Sequence, residues 1–472
     1  MNDEIAGSAA HTLSAAIASR ELSCVEVVQA HLARIDDEQV TYRPLVSQRP
    51  RTEILAEANE RDLELARGEY RGWMHGLPHA VKDLAAVKGL PTTLGFFPVD
   101  EAPIADQDEL FVGRLREGGA VFVGKTNTPE FGLGSSTYNG IAQPTANALD
   151  ASRTAGGSSG GAAVAVARGM VPVADGSDLM GSLRNPPGWN GVLGLRTTFG
   201  RVPSIGGDVF RVQGGVDGPI ARNARDLALL LSTMSGYDRR APLSLRDLPT
   251  ELVSELEDGA EDLRVGWLAD LEGYLPTEPG VLSTCKAALD GFKTFGARVE
   301  EATLPSVPGF ESIDHLWPAW LTFRSSEIGP WLGAFYDNEA LRGRMKPEAR
   351  WEVETYLRLT ASDLATASET RSGLFHAFGL LFEDFDVLVL PTAQLFPFDV
   401  STSWPECVAG RRMDTYHRWM EVTVPATLAG LPVLALPAGL GPTELPMGLQ
   451  VIAPQRSEGL LLRVARAWET TR

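Results

Sequence analysis

Apolar residues recur at helical intervals in three segments of the first quarter of the chain. The first follows Ser23 and Glu26, which have the spacing of a helix-capping pair, and runs to about Asp36. The second runs from residue 52 to residue 67 and stops before Gly68, a residue typical of helix ends. The pattern predicts a helix over each of these two segments and a third over about residues 107–117.

Short runs of β-branched and other apolar residues predict strands, most of them in the second half of the chain. The predicted strands are 120–123, 171–174, 387–390, 433–436 and 449–452, and the last leads into a helix from about Ser457. Strands that alternate with helices are typical of an α/β domain with a buried sheet. No repeat, charge run or linker divides the chain. We therefore predict a single domain over residues 1–472, with a mixed, mostly parallel central β-sheet covered by helices.

Aromatic residues concentrate between about residues 273 and 370, where the spacing is largely helical. They are Trp317, Trp320, Phe323, Trp331, Phe335, Tyr336, Trp351 and Tyr356. One interpretation makes them core residues of a covering layer, and the other makes some of them walls of an apolar pocket. We treat 273–370 as a variable, substrate-covering region.

Charge and composition narrow the classes of function. The chain has 42 Lys and Arg against 61 Asp and Glu, a net charge of −19, which disfavours binding to nucleic acid or to an anionic membrane. The N-terminus lacks the basic start and apolar core of a secretory signal. Cys24, Cys285 and Cys407 are far apart and form no C-x-x-C pair, as is typical of reduced thiols. We expect a cytoplasmic protein that acts on a small molecule without a metal or cofactor.

Residues 119–126, GAVFVGKT, match the G-x-x-x-x-G-K-[ST] pattern of phosphate-binding loops. Such a loop surrounds phosphate with backbone N–H groups and passes directly into a helix. Here the four variable positions, 120–123, are strand-forming, and Pro129 and Gly132 suit a loop after the match. A nucleotide hydrolase is therefore only a remote alternative.

Three other segments carry stronger indications of chemistry. TAGGSSGGAAVAVARG, residues 154–169, runs from glycines and serines into an apolar helix, which a flexible linker has no reason to do. A second segment, ADGSDLMGSLR, follows a predicted strand and contains Ser182. A third, GLPHAVKD, places Lys82 after the apolar pair Ala80 and Val81.

These segments resemble the motifs of the amidase signature family of serine hydrolases. The usual family forms are G-x-P-x-x-[VI]-K-D, G-G-S-S-G-G and G-T-D-x-G-G-S-[IL]-R, and the order here is the same. Ser158 and Ser182 stand 24 positions apart, the family interval. The likeness continues through GKTNTPEFG, GPIARNARDLALLL, DVLVLPT and GLPVLALPAGL, so it covers nearly the whole chain outside the aromatic middle. It implies the amidase signature fold and hydrolysis of carboxylic amides, with esters, anilides or carbamates as further substrates.

The resemblance also implies a role for each motif residue. Lys82 is the base, Ser158 is the proton bridge after a cis peptide bond, and Ser182 is the nucleophile that forms an acyl-enzyme. A lysine can act as a base when burial lowers its pKa. A histidine base has less support, because His79 lies at a position that the family leaves variable. The G-x-S-x-G letters within GGSSGG also lack the preceding strand of a nucleophile elbow.

The loop before Ser182 is the expected oxyanion site. The resemblance assigns the backbone N–H groups of Leu179, Met180 and Gly181, together with that of Ser182, to the developing negative charge. Asp178 and Arg184 are expected to pair and orient this loop. Met180 stands where the family usually has glycine, and Ser177 where it usually has threonine. A side chain at position 180 disfavours positive φ, so the geometry of the loop is an open question.

The substrate is less well defined. The family's substrate-channel segment falls on Phe131, Gly132 and Leu133, which together with the aromatic region favours an apolar or aryl substrate. A second candidate function is the glutamine-hydrolysing component of a tRNA amidotransferase, which uses the same motifs. The sequence does not identify the oligomeric state, and a homodimer is one candidate assembly.

Overall fold

The computed structural model describes residues 2–211, 213–247 and 249–471. The helices are α1 (Asn2–Gly7), α2 (Ala10–Ala18), α3 (Cys24–Tyr42), α4 (Arg51–Ala66), α5 (Leu110–Glu117), α6 (Gly160–Ala167), α7 (Asn185–Asn190), α8 (Ala224–Met234), α9 (Glu251–Ser254), α10 (Val281–Ala288), α11 (Asp290–Thr294), α12 (Leu316–Tyr336), α13 (Glu339–Arg344), α14 (Pro347–Tyr356), α15 (Ala361–Asp384), α16 (Val424–Leu428) and α17 (Glu458–Glu469). The strands are β1 (Leu45–Gln48), β2 (Pro78–Lys82), β3 (Val121–Thr126), β4 (Val173–Asp178), β5 (Leu193–Arg196), β6 (Val216–Ala221), β7 (Arg264–Trp267), β8 (Arg298–Glu301), β9 (Val387–Pro391), β10 (Cys407–Val408), β11 (Arg411–Arg412), β12 (Val433–Leu440) and β13 (Pro446–Ile452).

The N-terminal helices follow the sequence pattern closely. Ser23 accepts a hydrogen bond from the backbone N–H of Glu26, and the Glu26 side chain accepts one from the backbone N–H of Ser23, so the predicted capping box forms. Helix α3 extends beyond the predicted end to Tyr42, and α4 and the C-terminal helix α17 lie where they were predicted. Helix α5 begins at Leu110, three residues later than expected.

The main sheet has eight strands in the order β4-β6-β5-β12-β13-β9-β7-β8. The prediction of an α/β fold with a mixed central sheet covered by helices is confirmed. One detail is corrected: among the described residues, five of the neighbouring pairs are antiparallel, and only β9 with β7 and β7 with β8 are parallel. The short connection from β12 to β13 can join only antiparallel neighbours, whereas parallel strands need a long crossover such as α10 and α11 provide between β7 and β8.

A smaller sheet, in the order β1-β3-β2, carries the GAVFVGKT segment. Strand β3 is buried along its whole length and runs parallel to β2, with Thr126 opposite Lys82. The strand includes Gly124, Lys125 and Thr126, so it is longer than the predicted 120–123. Because β2 lies beside β4, Lys82 at the end of β2 comes close to the loop that follows β4.

Two large hydrophobic clusters form the core. The first joins residues from Ile5 to Trp468 and so includes elements from both ends of the chain. The second contains Trp317 and Trp320 of α12 together with Trp419, packed on the opposite face of the sheet strands β9 and β12. Part of the aromatic middle is therefore core, in agreement with the covering-layer interpretation.

Two properties of residues 2–211, 213–247 and 249–471 bear on the class of function. No helix found there is long and apolar enough to cross a membrane. No group of three or more His, Cys, Asp or Glu side chains in the same ranges has the arrangement of a metal site.

Candidate active site

The amine nitrogen of Lys82 lies among three serine hydroxyls. It is 2.8 Å from Ser158 Oγ, 2.8 Å from Ser159 Oγ and 2.9 Å from Ser177 Oγ. The lysine is only 1% exposed. Burial lowers its pKa to about 7, against the opposing effect of three nearby carboxylates. A large share of the amine is therefore neutral at physiological pH, and this is the form that accepts a proton.

The backbone of Lys82 is held by Asp175 of β4. The Lys82 N–H donates to Asp175 Oδ2 at 3.1 Å, and His79 Nε2 is 2.9 Å from Asp175 Oδ1. His79 is fully buried in this contact. The one histidine inside the motifs thus supports the strand that carries Lys82 and forms no hydrogen bond with the three serines among the described residues.

A chain of hydroxyls leads from Lys82 to Ser182. Ser158 Oγ donates to Ser182 Oγ at 3.0 Å, and the peptide bond between Gly157 and Ser158 is cis, as expected. Glycine is required at this turn, because a Cβ on Gly157 would lie 2.9 Å from the backbone nitrogen of Ser136. The structure brings together the three residues predicted to be catalytic.

The loop between β4 and α7 is organised by one buried carboxylate. Asp178 accepts hydrogen bonds from the backbone N–H groups of Gly181 at 2.9 Å and Leu183 at 3.0 Å. It also pairs with Arg184 at 2.9 Å, as predicted, and with Arg196 at 3.2 Å. Burial alone would raise the pKa of Asp178, but the two guanidinium groups hold it well below its usual range.

This arrangement changes the set of candidate oxyanion donors. The N–H of Gly181, which has φ of 89°, is already bonded to Asp178, which corrects its expected role. The N–H groups of Leu179, Met180 and Ser182 have no acceptor within the described residues. Met180 is not among the residues with positive φ, and its side chain packs into the second core cluster. The position therefore tolerates a side chain, which answers the question that the sequence left open.

Ser158 and Ser182 border a cavity of about 390 Å³. Phe131, Gly132 and Leu133, the segment that we expect to contact substrate, line it. A Cβ on Gly132 would lie 2.8 Å from Leu84 and 3.6 Å from Ser158 Oγ, so the glycine keeps space open beside the serine. The apolar wall continues through Leu84, Ile328 and Trp331, and the polar side chains at the cavity include Glu109, Arg324, Glu327 and His417.

The aromatic middle supplies part of this wall. Trp331 of α12 lines the cavity and contacts Phe131, with their ring centres 5.7 Å apart. Phe335 packs on the same ring at 4.8 Å. Both interpretations of the aromatic region therefore apply, because α12 places some rings in the core and one at the cavity.

The phosphate-loop alternative has no structural support. Lys125 is fully buried on β3, its amine donates to the carbonyl oxygen of Ala85 at 2.6 Å, and it pairs with Asp83 at 3.5 Å. An extended, buried strand cannot surround a phosphate group. The remote alternative of a nucleotide hydrolase is therefore rejected.

Comparison with known proteins decides the family. A family model described as Amidase matches residues 26–462, which is most of the chain. The chain belongs to the Amidase family.

Relatives of this amidase match nearly its whole length. An acylamidase from Rhodococcus erythropolis is 34% identical over 472 residues, covering 98% of this chain and 94% of that protein. A glutamyl-tRNA(Gln) amidotransferase chain from Thermus thermophilus is 36% identical over 487 residues, covering 98% and 96%. A solved bacterial aryl acylamidase of the amidase signature family has a TM-score of 0.91 at 26% identity, covering 98% and 96%. The protein is an amide-hydrolysing enzyme with the amidase signature fold.

Sequence reasoning missed several residues around Lys82 and at the cavity of this amidase. Ser159 and Ser177 stood inside recognised motifs, and their contact with Lys82 could have been suspected from the clustering of hydroxyls. Arg324 and Glu327 gave no such signal. They come from α12, far along the chain from Ser182, and only the tertiary packing of that helix brings them to the cavity.

Proposed function

We propose that this enzyme hydrolyses carboxylic amides through an acyl-enzyme on Ser182, with Ser158 as proton bridge and Lys82 as base. The main support is the continuous chain of contacts from Lys82 Nζ to Ser158 Oγ at 2.8 Å and from Ser158 Oγ to Ser182 Oγ at 3.0 Å. The chain starts at a buried amine with a pKa of about 7 and ends at a hydroxyl that borders a cavity.

The first half of the reaction transfers the acyl group. Neutral Lys82 accepts the proton of Ser158 while Ser158 accepts that of Ser182, and Ser182 Oγ attacks the amide carbonyl carbon. The carbonyl oxygen becomes negative in the tetrahedral intermediate. When the C–N bond breaks, the proton returns from Lys82 through Ser158 to the departing amine. In the second half, water loses a proton along the same route, attacks the ester and releases the carboxylic acid and free Ser182.

The N–H groups of Leu179, Met180 and Ser182 are the donors that we assign to the oxyanion. Donors aimed at developing charge are often the largest catalytic contribution in acyl transfer. Gly181 contributes indirectly, since its bond to Asp178 fixes the loop that presents its neighbours.

We propose an apolar or aryl amide as substrate, with anilides first and esters or carbamates as further candidates. The wall formed by Phe131, Leu133 and Trp331 supports this choice, as do the acylamidase relative and the aryl acylamidase structure. The net charge of −19 supports a small-molecule substrate over direct contact with nucleic acid. A cytoplasmic location and a homodimer remain predictions.

A second function follows from the amidotransferase relative, which is 36% identical. In that case the enzyme would release ammonia from glutamine for a partner protein. Hydrolysis of glutamine without hydrolysis of anilides would favour this function over our proposal.

The test is an activity panel of short aliphatic amides, anilides, carbamates and glutamine. Ser182→Ala and Lys82→Ala should reduce hydrolysis to background, and Ser158→Ala should reduce kcat by about 10²–10⁴-fold, the usual range for a proton-transfer group. A fluorophosphonate should label the wild type and not Ser182→Ala. Ser152→Ala, an exposed serine at the surface, serves as the matched control. Full activity in Ser182→Ala or Lys82→Ala would refute the proposal.

A further inference from the structure

One wall of the cavity carries a guanidinium group that is only partly used. Arg324 is 3% exposed and lines the cavity that contains Ser182. Its Nε donates to Glu352 at 2.7 Å, and its Nη2 donates to the Tyr416 hydroxyl at 2.7 Å. Its third nitrogen, Nη1, has no hydrogen-bond partner in the part of the chain that the structure describes.

A histidine beside it is also unpartnered. His417 lines the same cavity and is 1% exposed, and neither of its ring nitrogens has a hydrogen-bond partner among the described residues. Its ring is held between aromatic neighbours, with centres at 5.2 Å from Trp317 and 4.7 Å from Tyr416. Buried polar groups without partners are uncommon because each costs about 1–3 kcal/mol, so this pair requires an explanation.

The histidine is a neutral group in this position. Burial lowers its pKa well below the usual value, and the nearby Arg324 charge lowers it further. A neutral imidazole offers one N–H donor and one acceptor nitrogen. Arg324 adds further N–H donors, so together the two side chains mainly offer donors to the cavity.

The local charge balance indicates which acceptor fits. Glu352 lies 2.7 Å from Arg324 and offsets its charge. Glu327 also lines the cavity, but its oxygens accept from backbone N–H groups, and it forms no hydrogen bond or ion pair with Arg324 in the described part of the chain. An anionic group at Arg324 would meet the repulsion of Glu352, which already offsets the charge of the guanidinium, whereas the charge of Glu327 is opposed by Arg371 and Arg196. A neutral acceptor satisfies the free donors without that repulsion.

We propose that Arg324 and His417 form a subsite that hydrogen-bonds a neutral acceptor, such as a ketone, ester or nitro oxygen, located away from the scissile amide. This inference rests on the proposed amide hydrolysis at Ser182 and narrows its substrate class. The preferred substrate is apolar where it meets Phe131 and Trp331 and carries one acceptor oxygen that reaches this subsite.

Matched substrate pairs test the inference on the wild-type enzyme. In the first pair, the aniline ring of an anilide carries either a 4-acetyl or a 4-isopropenyl group. In the second pair, an aryl ring on the acyl side of the amide carries either of the same two groups. The two groups have nearly the same shape, but only acetyl has an acceptor oxygen. We expect kcat/KM to be about tenfold higher for the acetyl member of one pair, the size of a typical buried hydrogen bond. Equal kcat/KM within both pairs would overturn the inference.

His417→Phe then assigns the preference to the subsite. This substitution should bring the ratio of kcat/KM for the acetyl compound to kcat/KM for the isopropenyl compound close to one, mainly through a change in KM. Trp317→Phe is the matched control: it alters the ring that packs on His417 but is not part of the cavity lining, and it should keep the wild-type ratio. A ratio unchanged in His417→Phe would refute the role of His417. The comparison of binding to Ser182→Ala, in which no bond is broken and the electronic effect of acetyl on the leaving group plays no part, still decides the inference if this variant does not fold.

The background of Ser182→Ala separates the two proposals. Binding of the acetyl compound to Ser182→Ala, measured by calorimetry, should be about tenfold tighter than binding of its isopropenyl analogue. If hydrolysis depends on Ser182 but kcat/KM is equal for the acetyl and isopropenyl compounds, only the proposed subsite is refuted. If hydrolysis does not depend on Ser182, the proposed mechanism is refuted, whatever the binding measurement shows.

Discussion

At the scale of single residues, the pKa of Lys82 sets the pH range of the enzyme. Its pKa is lowered to about 7 by burial, and only the neutral amine can accept a proton. We therefore expect kcat/KM to rise as pH increases through about 7 and then to level off. This direction follows because lowering the pH protonates the base.

Asp217 gives a specific test of that environment. It lies opposite Ser177 in the β4–β6 pairing, and its carboxylate is the strongest of the three that raise the pKa of Lys82 against burial. Asp217→Asn removes this attraction for the charged amine, so the acidic limb of the pH–rate profile should move to lower pH. The measurement is kcat/KM against pH on one anilide.

The comparison for this prediction is Asp37→Asn, an exposed carboxylate on α3. This substitution should leave the pH at the midpoint of the acidic limb unchanged. Burial raises the pKa of Asp217 itself to about 7, so the limb reports the interacting pair. An acidic limb that stays in place or moves to higher pH in Asp217→Asn would contradict the assignment of Lys82 as the titrating base.

The residues of the site differ in how far the sequence could predict them. Lys82, Ser158 and Ser182 were accessible because each lies in a short motif whose chemistry is local. Arg324 and His417 were not, because a buried arginine and a lone histidine have no local pattern that separates a pocket wall from a core. The hydrogen bond from the N–H of Gly181 could not be predicted either, because it depends on the orientation of the Asp178 side chain.

At the scale of elements, local patterns predicted the helices and strands better than they predicted how the strands pair. The capping box of α3 and the apolar runs of β9 and β12 are properties of contiguous residues, and both formed. Strand direction depends on which elements become neighbours. The mostly parallel sheet was inferred from alternation along the chain, which does not specify those neighbours.

The loop between β4 and α7 depends on Asp178, and its removal should be costly. Asp178→Asn weakens the pairing of two fully buried guanidinium groups, Arg184 and Arg196. Loss of one partner from a buried ion pair typically costs about 3–5 kcal/mol, and we expect a decrease of that size in the free energy of unfolding. Guanidinium denaturation followed by circular dichroism measures it, and kcat should fall as well because the loop carries Ser182.

The pH dependence of this effect has a definite sign. The folded-state pKa of Asp178 is depressed, so its contribution is fully present above the unfolded pKa of about 3.9 and is lost as pH falls below it. The difference between wild type and Asp178→Asn should therefore be constant from about pH 5 to pH 8. Asp3→Asn, whose exposed side chain pairs with Arg34, should change stability little. A similar effect in both variants would contradict the organising role of Asp178.

At the scale of the whole molecule, the composition of the core is the basis for our prediction of a single cooperative unit. The first hydrophobic cluster contains residues from the N-terminal helices, the middle of the chain and α17. The eight-stranded sheet likewise places β7 and β8 from the middle beside β9 from the C-terminal part. No cut along the sequence separates these strands into independent sheets, so we expect the chain to unfold as one domain.

Phe292→Ala tests this expectation. Phe292 is fully buried on α11 and packs against Trp468 of α17, with ring centres 5.2 Å apart. Its truncation should cost about 3–5 kcal/mol, and the loss should appear in every signal at once. Circular dichroism, tryptophan fluorescence and residual activity should give the same shifted denaturant midpoint. Phe375→Ala, at a ring that is 41% exposed on α15, should change the free energy of unfolding by less than about 0.5 kcal/mol. If activity kept the wild-type midpoint while fluorescence shifted, the region around α11 and α17 would unfold separately from the active site, and the single-domain prediction would fail.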